Sequence, residues 1–239
     1  MAVRSPEPAR RGSPPCIAVA GEARSGKSSL INVLLGSSVL PTGFNDHIPL
    51  PVLVSYASRL SLSLELSNGR RVPTDWLATG LTATHNTRRL RLGLPIDLLE
   101  TCRLVEAAGF ATGCDDLDRR SLGICRRAHS VVWCTPAVQA WKASERDAWL
   151  MLPKRLRERS ILAVTYKDAI PSERDAEQLS ARLRAEAGPY FSKIVMIANN
   201  RAAALGGQPD GPNTKHLWQA SGGAEICAAV RALIAEARP

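Results

Sequence analysis

The chain predicts a mostly parallel α/β sheet with helices on both faces, and three observations carry that prediction. Short continuous apolar runs at residues 16–20, 131–134, 161–165 and 194–198 alternate with helical patterns, as strands buried on both faces and joined by crossover helices do. Residues 21–28 read GEARSGKS and lie directly between the first apolar run and a helical stretch at residues 28–35, the strand, loop and helix order that a GxxxxGK[ST] loop requires. Leu60, Leu62, Leu64 and Leu66, then Leu90, Leu92 and Leu94, alternate with Ser, Glu and Arg, which marks strands with one wetted face and an antiparallel extension at one edge of the sheet.

The remaining elements follow in order. Gly36 ends the first helix, where Leu30, Ile31, Leu34 and Leu35 face the sheet, and Pro41, Gly43 and Pro49 mark a loop. Residues 52–56 and 61–67 read as an antiparallel pair joined by a short turn, and Asn68-Gly69 closes the second of them. From 70 to 86 the pattern weakens, with Asp75, Trp76 and Leu77 on a short helix. Residues 102–107 form another strand. A helix capped by Ser172 and Asp175 carries Ala176, Leu179, Leu183 and Ala187 on one face and stops at Gly188-Pro189. The last helix stripes Ile226, Ala229, Val230, Leu233 and Ile234, and residues 206–212 are a Gly/Pro-rich loop.

At 239 residues and 45% hydrophobic content the chain can bury one full core. Residues 1–15, rich in Pro and Arg, read as a disordered basic leader rather than a signal peptide, and residues 16–239 as a single domain. No stretch reaches the ~18 consecutive apolar residues of a membrane span. Six cysteines without CxxC spacing read as reduced thiols of a cytoplasmic protein. The formal charge of +9 is spread as scattered arginines, so a nucleic-acid partner is not expected, while contact with an anionic membrane surface fits.

Residue type sets the chemistry of the loop. Gly21 and Gly26 allow the N–H groups of Glu22, Ala23, Arg24, Ser25 and Ser29 to curl around phosphate oxygens, Lys27 neutralises β/γ charge, and Ser28 offers its hydroxyl to Mg²⁺. A nucleoside triphosphate is the expected ligand and a three-layer P-loop NTPase the expected fold.

Residues 21–43, GEARSGKSSLINVLLGSSVLPTG, resemble the start of the GTPase domain of the dynamin superfamily, particularly of bacterial dynamin-like proteins. The GKSSLIN-type helix, Leu-Leu-Gly and Leu-Pro-Thr-Gly fall at residues 26–32, 34–36 and 40–43. The resemblance continues more weakly to about residue 204. It implies a dynamin-type G domain without a helical stalk, binding GTP or GDP with Mg²⁺. It also implies a partner, either a second copy through this domain or a larger dynamin-like protein, and a place at the inner face of a membrane.

The same resemblance assigns roles to further residues. Thr165-Tyr166-Lys167-Asp168 stands where the family carries [Asn/Thr]-Lys-x-Asp: Asp168 would accept from guanine N1–H and N2–H₂, and Tyr166 puts a ring where the lysine stem lies. Glu106-Ala107-Ala108-Gly109 stands for Asp-x-x-Gly, with Glu106 holding a metal-bound water from a carboxylate displaced by about one C–C bond. Ala198-Asn199-Asn200 stands at the last base-contacting motif. The switch threonine has no counterpart in residues 44–49, and His47 in that stretch reads as a solvated loop histidine rather than a substitute for orienting water. Arg24 resembles the internal arginine finger of guanylate-binding proteins and atlastins, so Lys27 and Arg24 form the expected catalytic pair.

These assignments support a slow GTPase. A pseudo-GTPase acting as a nucleotide-dependent adaptor is the alternative, and a P-loop small-molecule kinase, which has no use for the Leu-Pro-Thr-Gly stretch, ranks third. The four histidines show no zinc spacing. Trp133, Trp141 and Trp149 are expected in the core, and the basic segment 154–159 on a solvated helix end.

Overall fold

The computed structural model describes residues 13–42, 50–75, 86–110, 115–206 and 211–237. Its strands are β1 (Cys16–Gly21), β2 (Val52–Tyr56), β3 (Ser61–Leu66), β4 (Arg71–Pro73), β5 (Thr87–Leu94), β6 (Arg103–Glu106), β7 (Ser130–Pro136), β8 (Ile161–Thr165) and β9 (Lys193–Met196). They form one sheet of order β4-β3-β5-β2-β6-β1-β7-β8-β9. The five strands from β6 to β9 run parallel. On the other side of β6 the sheet continues as a four-stranded extension, antiparallel except where β2 pairs β5.

The helices are α1 (Lys27–Leu35), α2 (Leu98–Thr101), α3 (Asp115–Arg127), α4 (Ala143–Leu150), α5 (Lys154–Arg157), α6 (Glu173–Glu186), α7 (Asn199–Ala204), α8 (Pro212–Ala220) and α9 (Gly223–Glu236). Alternation along the strands sorts the core into two layers. Ile17, Val19, Val132 and Ile161 face α1 and the α9 stripe Ile226, Val230, Leu233 and Ile234. Ala18, Ala20, Trp133 and Leu162 face Leu122 of α3, Trp149 of α4 and Leu183 of α6. In the second layer the rings link up: Phe110 lies 5.0 Å from Trp133, Trp133 5.5 Å edge-on from Trp149, and Trp149 stacks at 4.3 Å on Phe191. The expected helix stops and caps are present, including Gly36 at φ +64° and the Ser172 hydroxyl accepting from the Asp175 amide. Among the described residues Cys102, Cys125 and Cys134 are buried free thiols and Cys16 and Cys227 are half-buried; Cys114 lies outside them.

One pairing departs from expectation. β2 and β3 run antiparallel but do not pair, because β5 lies between them. The reason is burial: Val52, Leu53 and Val54 are apolar in succession and all buried, which suits a slot covered on both faces. The alternating β3 belongs further out, where Asn68-Gly69 turns it into β4, with Gly69 at φ +81°. The short helix expected at Asp75-Trp76-Leu77 falls largely outside the described residues, as does the switch stretch 44–49 with His47.

Glu145, almost fully buried, fixes the segment that leaves β7 toward α4. Its carboxylate accepts from the Trp133 indole at 3.1 Å, the Thr135 hydroxyl at 2.8 Å and the Lys142 amide at 3.0 Å. Burial pushes its pKa up, against the lowering effect of those donors. A carboxyl raised in the folded state binds its proton sooner when folded. Its favourable contribution is therefore complete below the unfolded pKa and is lost as pH rises through the folded value. Thermal midpoints of wild type and Glu145→Gln, which does not titrate, should diverge in favour of wild type as pH falls from neutral toward the ordinary carboxylate range of about 4.3. A constant difference across that series would contradict the assignment.

Candidate nucleotide-binding site

The ends of β1, β6, β7 and β8 converge, and the loop after β1 sits on that convergence. Gly21, at φ +141°, lies so close to β7 that a Cβ would come within 2.2 Å of the Cys134 carbonyl oxygen. At Gly26, φ +81°, a Cβ would meet Asn199 Nδ2 at 2.8 Å. Only glycine fits either place. The segment after β6 zips onto the loop: the Phe110 amide donates to the Gly21 carbonyl and the Ala23 amide to the Phe110 carbonyl, both at 3.0 Å.

Two side chains distant in sequence clamp the loop. The buried Thr165 hydroxyl lies 2.9 Å from the Ser25 carbonyl and 3.2 Å from that of Thr135. Asn199, also fully buried, donates from Nδ2 to the Gly26 carbonyl at 2.9 Å. Thr165 was expected among the nucleotide contacts, and the structure spends its hydroxyl on the loop backbone instead. Asn199 stands at the motif expected to touch the base, and its side chain likewise holds the loop. Nothing local in the sequence signals that role, since its partner is 173 residues away.

Lys27 is buried and donates to the Glu22 carbonyl at 2.7 Å. Burial pushes its pKa down, while Glu106, Cys134 and Glu22 pull it back up. Ser28 donates to Glu106 Oε1 at 2.7 Å. Burial pushes the Glu106 pKa up, opposed by Lys27 and by the Ser28 hydrogen bond. Gly109, at φ +89°, passes so near that a Cβ would approach Lys27 Nζ to 3.2 Å. The predicted pair Ser28 and Glu106 is thus brought together from positions 78 residues apart. Among the described residues no group of three His, Cys, Asp or Glu could hold a metal. A hydroxyl and a carboxylate are the hard oxygen donors that suit Mg²⁺, which takes one or two protein oxygens and completes its shell with water and phosphate.

The other loop side chains diverge. Glu22 pairs with Lys142 and accepts from the Ser144 hydroxyl at 3.1 Å, which ties the loop to the segment after β7. Ser25 is fully buried with its hydroxyl unpartnered, and Ser29 is buried in the first turn of α1. Ala23 and Arg24 are exposed, and Arg24 takes a left-handed φ of +62°. The Tyr166 hydroxyl reaches the Arg24 carbonyl at 3.3 Å, so the tyrosine borders the phosphate loop on the β8 side. Beyond it, Asp168 lines a cavity of about 480 Å³ with Lys167, Ala198 and Arg201, whose Nε is 4.0 Å from the Asp168 carboxylate. Lys167 donates to the Ala220 carbonyl at 3.1 Å.

A glycine-framed phosphate loop at the carboxyl ends of parallel strands, in a sheet covered on both faces, defines a P-loop nucleotide-binding domain. No family profile matches the chain. Over 191 residues, 78% of its length, it is 28% identical to dynamin-like protein 2 of Campylobacter jejuni, of which it spans 31%. Two chains of an oligomerised bacterial dynamin pair share the fold, with TM-scores of 0.70 at 14% and 15% identity, over 90% and 94% of this chain and 37% and 40% of theirs. A bacterial selenocysteine-specific elongation factor follows, with a TM-score of 0.52 at 12% identity over 94% of this chain and 29% of that one. The chain is thus similar in sequence to a bacterial dynamin-like protein and shares its fold with the solved bacterial dynamins, and it spans about a third of the length of the relatives it matches.

Thr165→Val keeps the shape of the side chain and removes the hydroxyl. It removes the donor shared by the Ser25 and Thr135 carbonyls, so unfolding in urea should show a stability lower by about 1–3 kcal/mol and an earlier midpoint. A midpoint equal to wild type would show that Thr165 does not clamp the loop.

Proposed function

We propose that this domain binds guanine nucleotide with Mg²⁺ and hydrolyses GTP slowly to GDP and phosphate. One observation carries the reading: Lys27, Ser28 and Glu106 meet at the loop, while Asp168 stands over a separate cavity large enough for a base. With nucleotide bound, Lys27 would exchange the Glu22 carbonyl for phosphate oxygens, and Ser28 and Glu106 would be the residues that hold the metal. The metal supplies neutralisation of charge on the β- and γ-phosphates. Asp168 selects guanine because one carboxylate can accept from both N1–H and N2–H₂. Tyr166 offers its ring beside the base, and Arg24 sits at the tip of the loop, where a cation stabilises charge that develops in the transition state.

A second reading, a nucleotide-dependent adaptor with no turnover, draws support from Glu106. Its longer side chain bonds Ser28 directly, which displaces the carboxylate that would orient a metal-bound water. As for partners, the solved bacterial dynamins are described as an oligomerised pair in the sensing and tethering of membranes. We infer that this domain works against a second nucleotide domain, its own or a partner's, at a membrane surface, within the cytoplasm.

Calorimetric titration with GTP, GDP and ATP, with and without Mg²⁺, tests the central claim. Guanine nucleotides should bind, ATP should not compete, and Asp168→Ala should lose that preference; a preference for ATP would overturn the reading. Phosphate release by wild type against Lys27→Ala separates the slow enzyme from the adaptor.

Arg24→Ala should leave nucleotide affinity within a few-fold and depress turnover by as much as 10³ in favourable systems. Equal losses in affinity and rate, or no change in either, would remove Arg24 from the chemistry.

A further inference from the structure

Away from the phosphate loop, a cavity of about 260 Å³ opens between α3 and the extension of the sheet. Four arginines line it: Arg88 and Arg89 from the start of β5, and Arg120 and Arg127 from α3. None of its described lining residues is acidic. From the strand side the buried Glu65 pairs with Arg89 at 2.8 Å, Arg91 at 2.9 Å and Arg88 at 3.5 Å. One carboxylate therefore faces three guanidiniums, and α3 adds two more. The Arg89 Nε–H is buried without an acceptor, although Glu65 takes its Nη2–H. Thr87 and Ser67 add polar edges, and Pro51, Val105 and Ile124 form an apolar floor.

We propose that this cavity is a second anion site, for a phosphate group carried by a lipid headgroup or free in solution. Forked guanidiniums are matched to phosphate oxygens, and several of them converging on one cavity make repeated charge-assisted hydrogen bonds available. The volume lies below the roughly 300–1,000 Å³ of pockets that enclose a drug-sized ligand, so a phosphomonoester fits where a nucleotide does not. Generic attraction of a basic chain to anions would leave arginines spread and hydrated. Here Glu65 organises two of them and the helix presents two more across a gap. The site is independent of the nucleotide reading, since it shares no residue with the phosphate loop or the Asp168 cavity.

The test uses the whole chain in a Lys27→Ala background, so that the phosphate loop does not contribute. Sedimentation with phosphatidylcholine vesicles, with and without phosphatidic acid, reads the lipid source; the thermal midpoint in increasing inorganic phosphate reads the free one. Arg120→Gln/Arg127→Gln alters exposed helix positions and should fold normally. It should weaken whichever response wild type shows by about tenfold, the loss of roughly one charge-assisted hydrogen bond. Arg89→Gln should do the same, and if it fails to fold, the helix pair still decides. Arg174→Gln/Arg184→Gln removes the same charge from the exposed face of α6 and should change nothing. A vesicle response alone assigns the headgroup, and a phosphate response alone assigns the free anion. An equal loss in the α6 variant, no saturable response to either probe, or binding to RNA alone would overturn the proposal.

Discussion

The approach of Gly21 to β7 is the constraint on which the site depends. With 2.2 Å between a notional Cβ and the Cys134 carbonyl oxygen, any side chain there would push β1 and β7 apart at the level where the loop begins. The glycine alone does not shape the loop. Phe110 receives its amide from one side, Thr165 and Asn199 hold its carbonyls from the other, and Lys27 closes back on Glu22. Three segments distant in sequence thus position one eight-residue loop. Such a preorganised cradle keeps its amides oriented without spending ligand-binding energy on ordering them.

Charge at the loop follows from the same packing. Lys27 and Glu106 are both withdrawn from water, which pushes the lysine pKa down and the carboxyl pKa up, and each is the other's main electrostatic support. A buried pair of this kind contributes little net stability, because desolvation cancels most of the attraction. Its place in the molecule is better explained by what it meets there: Ser28 on one side and the phosphate loop on the other. The second carboxylate near the loop, Glu22, is turned away and engaged by Lys142 and Ser144, so it does not add negative charge where phosphates would lie. The Lys142 contact in turn rests on Glu145, which fixes the turn into α4.

Much of this was legible in the sequence because the signals are local. A continuous apolar run needs no partner to announce a buried strand, so β1, β7, β8 and β9 fall within one or two residues of expectation, and the Ser172 cap and Gly36 stop sit where residue type placed them. The GKS motif likewise names its own backbone. Pairing is a different matter. Alternation told that β3 has a wet face but not that β5 would separate it from β2, because that choice is made by burial of Val52, Leu53 and Val54 against strands that come later in the chain. The clamps Thr165 and Asn199, and the three arginines around Glu65, were invisible for the same reason: each joins positions from 23 (88 − 65) to 173 residues apart, and no spacing rule links them.

Backbone strain points back to the same place. Among the described residues three non-glycines take a left-handed φ: Arg24 at +62°, Trp141 at +59° and Tyr166 at +56°. Each such residue costs on the order of 1–3 kcal/mol and persists only where its surroundings impose it. All three lie around the loop. Trp141 precedes the lysine that holds Glu22, and Tyr166 gives its hydroxyl to the Arg24 carbonyl. Glycine would adopt these angles without penalty, so the strain is retained for what the side chains supply. Trp141 supplies packing, its ring 5.1 Å edge-on from Phe191. Arg24 and Tyr166 are different, since one is exposed and the other only half-buried. On the proposed reading the return comes from the ligand: a cation at the tip of the phosphate loop and a ring beside the base, two contacts that glycine could not make.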